Sequence, residues 1–136
     1  MELQVNPQTK RFWYPTNDGW RPMYGHEITV GGYKFSVCAI KTGELISEVT
    51  TGMRVKLLAD NPIVQVMGED KEGMISYYEF FVVPFLKSLV ESNLEAFNQA
   101  ITDGQKRIKA LGIGDMPPIE DYDDRFMTEP VSEIKH

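Results

Sequence analysis

Hydrophobic and polar positions alternate with a period of two over residues 27–40, a pattern typical of half-buried β-strands. Two such runs, EITV and YKFSVCAI, are joined by Gly31-Gly32. Glycine supplies the positive φ that a two-residue hairpin turn requires. The sequence therefore predicts a β-hairpin here. The side chains expected to face the core are those of Tyr33, Phe35 and Val37.

Further short β-rich runs follow, separated by turn signals. ELISEV and MRVKLL come after KTG and TTG, and IVQVM follows DNP as a further candidate strand. Short strands joined by tight turns pair with their neighbours in the chain. We therefore predict an antiparallel sheet of three to five strands.

Two helices are predicted after the strands. The segment MISYYEFFVV has the residue types of a strand, but Asp70 is a good N-cap, and Phe81, Phe85 and Leu89 recur at helical spacing. We interpret it as a helix bent by Pro84. The second helix begins with a capping box, Ser92 to Glu95, and stops at Gly112. The predicted fold class is α+β, with two helices packed on one face of the sheet.

The chain divides into three predicted regions. Residues 1–25 are punctuated by proline and glycine and read as an irregular, aromatic-rich arm. Residues 26–112 form a single α+β domain, and residues 113–136 form an acidic tail. We expect the arm to lie across the domain, because its rings would not stay in water.

Charge narrows the range of partners. The net charge is −6, and residues 1–114 carry 12 basic and 13 acidic side chains, against 2 basic and 7 acidic in residues 115–136. Nucleic-acid binding is disfavoured because no basic excess replaces phosphate counterions. No apolar run is long enough to span a bilayer, and no signal peptide is expected, so a membrane partner is not predicted. Cys38 is the single cysteine, which fits a reducing, cytoplasmic setting.

The acidic stretch MPPIEDYDDRF raises the question of a site. It lacks the glycine and ligand spacing of a calcium loop and the His or Cys partners of a zinc site. Adjacent solvated carboxylates are also a poor acid–base pair. A solvated tail is the simplest interpretation, but apolar residues recur every three to four positions among the acids. The alternative is a docking segment that binds a partner or the chain's own sheet. The candidate partner-binding residues are Ile119, Asp121, Tyr122, Asp123, Asp124 and Phe126, with Trp13 and Trp20 of the arm.

No catalytic residue, cofactor or metal is predicted. Cys38 lies in mid-strand, with His26 as its one conceivable base, and is interpreted as a packed cysteine. The cluster Ser47-Glu48 with Thr50-Thr51 is interpreted as a strand end and its turn. A nucleophile elbow, a P-loop and a dinucleotide fingerprint are absent.

The layout ISEVTTGMRV, then FFVVPFLKSLV, then MPPIE resembles small uncharacterised proteins of bacterial phages and other mobile elements. The resemblance covers residues 27–120 and rests on the order of parts. It implies a small intracellular accessory protein and carries over no catalytic residue.

The leading functional hypothesis is a non-enzymatic protein that binds another protein. The sequence also allows a homo-oligomer. One rival is a small-ligand-binding domain with a pocket between sheet and helices. The other is a hydrolase or transferase with an unrecognised site. A polar-lined pocket in which acids and His26 converge would favour the rivals, whereas a packed core without a pocket would favour protein binding.

Overall fold

The structure is a computed structural model that describes residues 1–59 and 61–122. Within these residues seven antiparallel strands form one sheet, and four α-helices lie between the sixth and the seventh strand. The strands are β1 (Leu3–Val5), β2 (Lys10–Thr16), β3 (Gly19–Val30), β4 (Tyr33–Ile40), β5 (Gly43–Glu48), β6 (Met53–Ala59) and β7 (Glu120–Asp121). The helices are α1 (Pro62–Met67), α2 (Lys71–Tyr77), α3 (Val83–Ser92) and α4 (Leu94–Leu111), with a π-helical turn, Tyr78–Val82, between α2 and α3.

The sheet is a meander extended at one side. Its order is β6-β5-β4-β3-β2-β7, and β1 pairs with the far half of the long strand β3. The α+β class is confirmed. The predicted number of three to five strands is wrong because the amino-terminal segment adds β1 and β2, and residues 120–121 add β7.

Residues 1–25 are therefore not irregular, and the prolines explain the error. Pro15 and Pro22 lie within strands β2 and β3, at positions where no described residue pairs with the outer side of the strand. Among the residues described, β7 pairs only with Lys10 and Arg11, and β4 pairs with β3 only from Gly25 onward. A strand tolerates proline where its N–H is not needed by a ladder.

The predicted hairpin at Gly31-Gly32 is confirmed, with Gly31 at φ +60°. Phe35 and Val37 are fully buried, and Tyr33 is partly buried against the same core. This main core lies between one face of the sheet and the helices. Its largest contributors are Ile28, Phe35, Ile46, Tyr77, Tyr78, Leu86 and Phe97.

Residues 74–83 are helical, as the apolar spacing indicates, and the π turn within them ends just before Pro84. The expected number of two helices is only roughly met: the first corresponds to α2, the π turn and α3 together and the second to α4, and α1 is additional. IVQVM, expected as a strand, belongs to α1, where Asn61 accepts a hydrogen bond from the Val64 N–H as N-cap. Helix α4 ends at Gly112 as predicted, but its N-cap is Asn93, not Ser92.

The sheet curls, so its second face is concave. Gly52, in the turn between β5 and β6, lies so close to β2 that a Cβ there would come 2.7 Å from the Tyr14 Cα. The β5–β6 turn thus meets β2 across the two intervening strands β4 and β3. A small second core fills part of this concave side, made by Phe12, Met23, Cys38 and Val49 with Leu45 and Ile119.

Candidate functional site

Residues 114–122 lie against the sheet, and several of the candidate residues make these contacts. The indole N–H of Trp13 donates to the Pro118 carbonyl, and that of Trp20 donates to the Gly114 carbonyl, both at 3.1 Å. Ile119 packs against the second core. The rings of the amino-terminal strands therefore hold the segment that precedes the acids.

Strand β7 completes this docking. Its two residues pair with β2, and two ion pairs cross the ladder, Arg11 to Glu120 at 3.0 Å and Lys10 to Asp121 at 3.6 Å. The ring of Tyr122 then lies 4.4 Å from that of Tyr24, centroid to centroid.

Docking of this segment through Ile119 and Tyr122 is thus seen within the chain itself. The remaining candidates, Asp123, Asp124 and Phe126, lie outside the described residues. Binding of a separate partner by any of these side chains stays a prediction.

A cleft lies between the sheet and the helices, where the sequence allowed for a ligand pocket. We call it the helix-side cleft; its volume is about 410 Å³. Strands β3, β4 and β5 form one wall, and α1, α2 and the π turn form the other. The polar side chains that line it are Thr9, Tyr24, His26, Glu44, Gln65 and Tyr78.

Glu44 and Tyr78 form the buried polar pair of this cleft. Glu44 is 4% exposed and Tyr78 is 2% exposed, and the Tyr78 hydroxyl donates to Glu44 Oε2 at 3.3 Å. Burial, and then the charge and hydrogen bond of Glu44, raise the pKa of Tyr78. The hydroxyl therefore stays protonated and remains a donor.

His26 is oriented toward the same cleft by strand β3. Its Nδ1 lies 3.1 Å from the Asn6 carbonyl oxygen, and its ring centroid lies 6.0 Å from that of Tyr78. Because a carbonyl oxygen only accepts, Nδ1 carries a proton. The structure thus brings His26, Glu44 and Tyr78 together at one cleft.

A second cleft, of about 640 Å³, lies on the concave side of the sheet, and we call it the concave cleft. Cys38 lies in its wall and is 1% exposed. Burial raises the pKa of the Cys38 thiol to about 12, against a smaller opposing effect of a hydrogen bond with Ser36. The thiol is protonated at neutral pH, which supports its interpretation as a packed cysteine.

The cluster around Glu48 is a structural turn, as its pattern suggested. The Glu48 carboxylate accepts four hydrogen bonds from the N–H and hydroxyl groups of Thr50 and Thr51, at 2.7–2.9 Å. Thr51 in turn packs against Gly104 of α4. This turn therefore ties the β5–β6 connection to the last helix.

Sequence reasoning missed Glu44 and Tyr78 as site residues. Each fits an ordinary structural role, Glu44 at a strand start and Tyr78 on a helical apolar stripe. Their meeting depends on packing between elements 34 residues apart. Alternation along β3, β4 and β5 would have placed Glu44 on the helix side, but which helix covers it is not encoded locally.

In the described part of the chain, no group of three or more His, Cys, Asp or Glu side chains is arranged to hold a metal ion. No helix there is long and apolar enough to cross a membrane. Comparison with protein-family models, curated proteins and solved structures gave no match. The resemblance to phage and mobile-element proteins therefore stays a prediction.

Proposed function

We propose that the protein is a small-ligand-binding domain whose ligand occupies the helix-side cleft. The observation that carries the proposal is the Glu44 carboxylate, buried at 4% exposure yet lining a cleft beside His26 and Tyr78. Ligand pockets are typically concave and largely apolar, with a few convergent polar groups that orient the ligand.

The lining favours a ligand that donates hydrogen bonds, and above all an amine. Its described residues include a carboxylate but no lysine or arginine. The rings of Tyr24 and Tyr78, with Met74, offer apolar and aromatic surface for the body of the ligand. An ammonium group gains from a carboxylate and from aromatic faces together.

Binding fits this lining better than catalysis does. The Tyr78 hydroxyl keeps its proton because its pKa is raised, so it is a poor general base at neutral pH. The Tyr78 hydroxyl can therefore orient a ligand as a hydrogen-bond donor without taking a proton from it.

A titration with 2-phenylethylamine, followed by amide chemical shifts, tests the proposal. We expect shifts at Gly68 and His26, which line the cleft, and weaker binding by 3-phenylpropionate, an anion of similar size. Glu44→Gln should weaken amine binding by about tenfold, since a charge-assisted hydrogen bond is worth roughly 1.5–3 kcal/mol.

The matched control is Glu27→Gln. Glu27 is the next residue to His26 on β3, points to the other face and pairs with Lys34 at 3.2 Å. Its substitution should leave amine affinity unchanged. Equal binding of amine and carboxylate probes, or equal loss in both variants, would contradict the proposed site.

A second candidate function is protein binding, the hypothesis that the sequence favoured. It gains support from an exposed aromatic surface at the π turn and α3, where Phe80 is 72%, Phe81 49% and Phe85 38% exposed. Clustered exposed rings commonly mark an interaction surface.

Self-association tests part of this candidate with the chain alone. Sedimentation velocity should show concentration-dependent oligomers that Phe80→Ser abolishes, while Val66→Ser, at another exposed apolar position on α1, leaves them unchanged. A monomer at all concentrations would exclude a homo-oligomer formed through this surface.

A further inference from the structure

The concave cleft has the features of a separate binding site. Each strand from β2 to β6 contributes to its wall, because the sheet curls around it. Apolar side chains form most of the lining, among them Tyr14, Met23, Ile40 and Leu45. Tyr14 and Ile40 are more than a third exposed, so the cleft has a wide apolar mouth.

Ser47 contributes a buried hydroxyl to the wall of the concave cleft. Ser47 is 1% exposed, and among the residues described its Oγ makes no hydrogen bond. A buried hydroxyl of this kind costs free energy unless something satisfies it. Its position in the cleft wall suggests that a bound molecule supplies the missing contact.

A cation lies directly across the ladder from that hydroxyl. Arg54 pairs with Ser47 between β5 and β6, and its side chain lines the same cleft. Within the described part of the chain, Arg54 takes part in no ion pair. The described lining contains no acid, so the only formal charge there is positive.

The cationic end extends toward helix α4. A neighbouring depression shares Pro15 and Arg54 with the concave cleft and adds Arg107, Ile108 and Leu111. Apolar surface therefore leads from the interior of the curled sheet to a rim that carries two arginines. This polarity, apolar inside and cationic at the rim, suits a molecule with the opposite arrangement.

We propose that the concave cleft binds a small amphipathic carboxylate. Its apolar chain lies against Met23, Ile40 and Leu45, and its carboxylate pairs with Arg54 within reach of the Ser47 hydroxyl. The two clefts share Tyr24 and Ala39 in their linings, but their polar groups differ: Ser47 and Arg54 line the concave cleft, and Glu44 and His26 line the helix-side cleft. The two sites therefore select opposite charges.

Octanoate and its neutral analogue 1-octanol are the probes for this site. Octanoate should shift the amide resonances of Leu45 and Ser47 and leave that of Gly68, in the helix-side cleft, unchanged. Arg54→Gln should weaken octanoate by about tenfold and leave 1-octanol unaffected, because only the charge-assisted contact is lost.

Two further variants make the test specific. Lys56→Gln removes a cation from the same strand but on the opposite face, and it should leave octanoate affinity unchanged. Ile40→Trp, at a partly exposed position in the mouth, should fill the cleft and abolish binding of both probes without disturbing the buried core.

Three results would overturn the proposal: octanoate bound no better than 1-octanol, Arg54→Gln without effect, or octanoate shifts centred on the helix-side cleft. Octanoate is read out at Leu45 and Ser47, and 2-phenylethylamine at His26 and Gly68, so failure here leaves the amine result intact. The reverse also holds, so the two proposals fail separately.

Discussion

Replacing Glu48 by alanine should destabilise the fold strongly, although Glu48 lies in neither cleft. The residue is 2% exposed, and each carboxylate oxygen accepts from one backbone N–H and one hydroxyl. Thr51, which supplies two of these donors, is 1% exposed. Alanine would leave those donors buried without their acceptor.

The magnitude follows from these contacts. A hydrogen bond to a charged group is worth roughly 1.5–3 kcal/mol, and an unsatisfied buried donor costs about 1–3 kcal/mol. The four bonds share one acceptor group and do not add independently. We therefore expect Glu48→Ala to lower the free energy of unfolding by about 3–5 kcal/mol. Glu48→Gln should cost about 1–3 kcal/mol, because the amide keeps one acceptor oxygen and turns an N–H₂ toward donors.

Urea denaturation followed by circular dichroism measures this loss, with the midpoint shifted and the slope unchanged. Glu91→Ala, at an exposed position on α3, is the matched control and should change stability by less than about 0.5 kcal/mol. If Glu48→Ala unfolds at the wild-type midpoint, the carboxylate does not hold the β5–β6 turn, and the reasoning from the four contacts is wrong.

Three further predictions concern the two cores and the docked segment. Phe35→Ala should cost about 3–5 kcal/mol in urea denaturation, because Phe35 is fully buried in the main core, and an unchanged midpoint would refute its assignment. Burial raises the pKa of Cys38 from 9.0 to about 12, so between these values the folded state keeps a proton that the unfolded state loses. The free energy of unfolding should therefore fall above about pH 9, by roughly 1.4 kcal/mol per pH unit. Cys38→Val should reduce that slope, and an identical slope in the variant would contradict the assignment. Deleting residues 116–136 should lower stability by about 2–3 kcal/mol, because Ile119 leaves the second core, whereas unchanged thermal stability would favour a purely solvated tail.

The main hairpin and both long helical patterns could be predicted because their signals are local. Gly31 takes the positive φ that its turn requires, and Phe35 and Val37 point inward by simple alternation. The period of apolar residues around Phe81 outweighed their β propensity. In each case the signal that predicts the element lies within the element's own sequence.

The amino-terminal strands could not be predicted because proline and glycine occur both in irregular segments and within strands. Proline usually interrupts a strand. Pro15 and Pro22 lie within strands, at positions where no described strand pairs with their outer side. Knowing this requires the sheet order, which is a long-range property. The same holds for IVQVM, whose apolar run fits a strand until Asn61 and Pro62 are seen to cap a helix.

The clefts could not be predicted either, because they depend on contacts between different elements of the fold. Glu44 and Tyr78 approach each other only because a helix packs on β5, and Ser47 meets Arg54 only after a bulge shifts the register between β5 and β6. His26 was singled out as a possible base, but its neighbours in the fold were not. Docking of Ile119 and Tyr122, in contrast, was anticipated from their spacing among the acids.

A crystal structure of the full chain, from crystals grown with 2-phenylethylamine, would show directly whether the helix-side cleft binds an amine beside Glu44. We expect density for the amine in the cleft, with its ammonium nitrogen within about 3.2 Å of a Glu44 carboxylate oxygen. A structure that shows the amine bound elsewhere, or the cleft filled by the chain's own side chains, would contradict it.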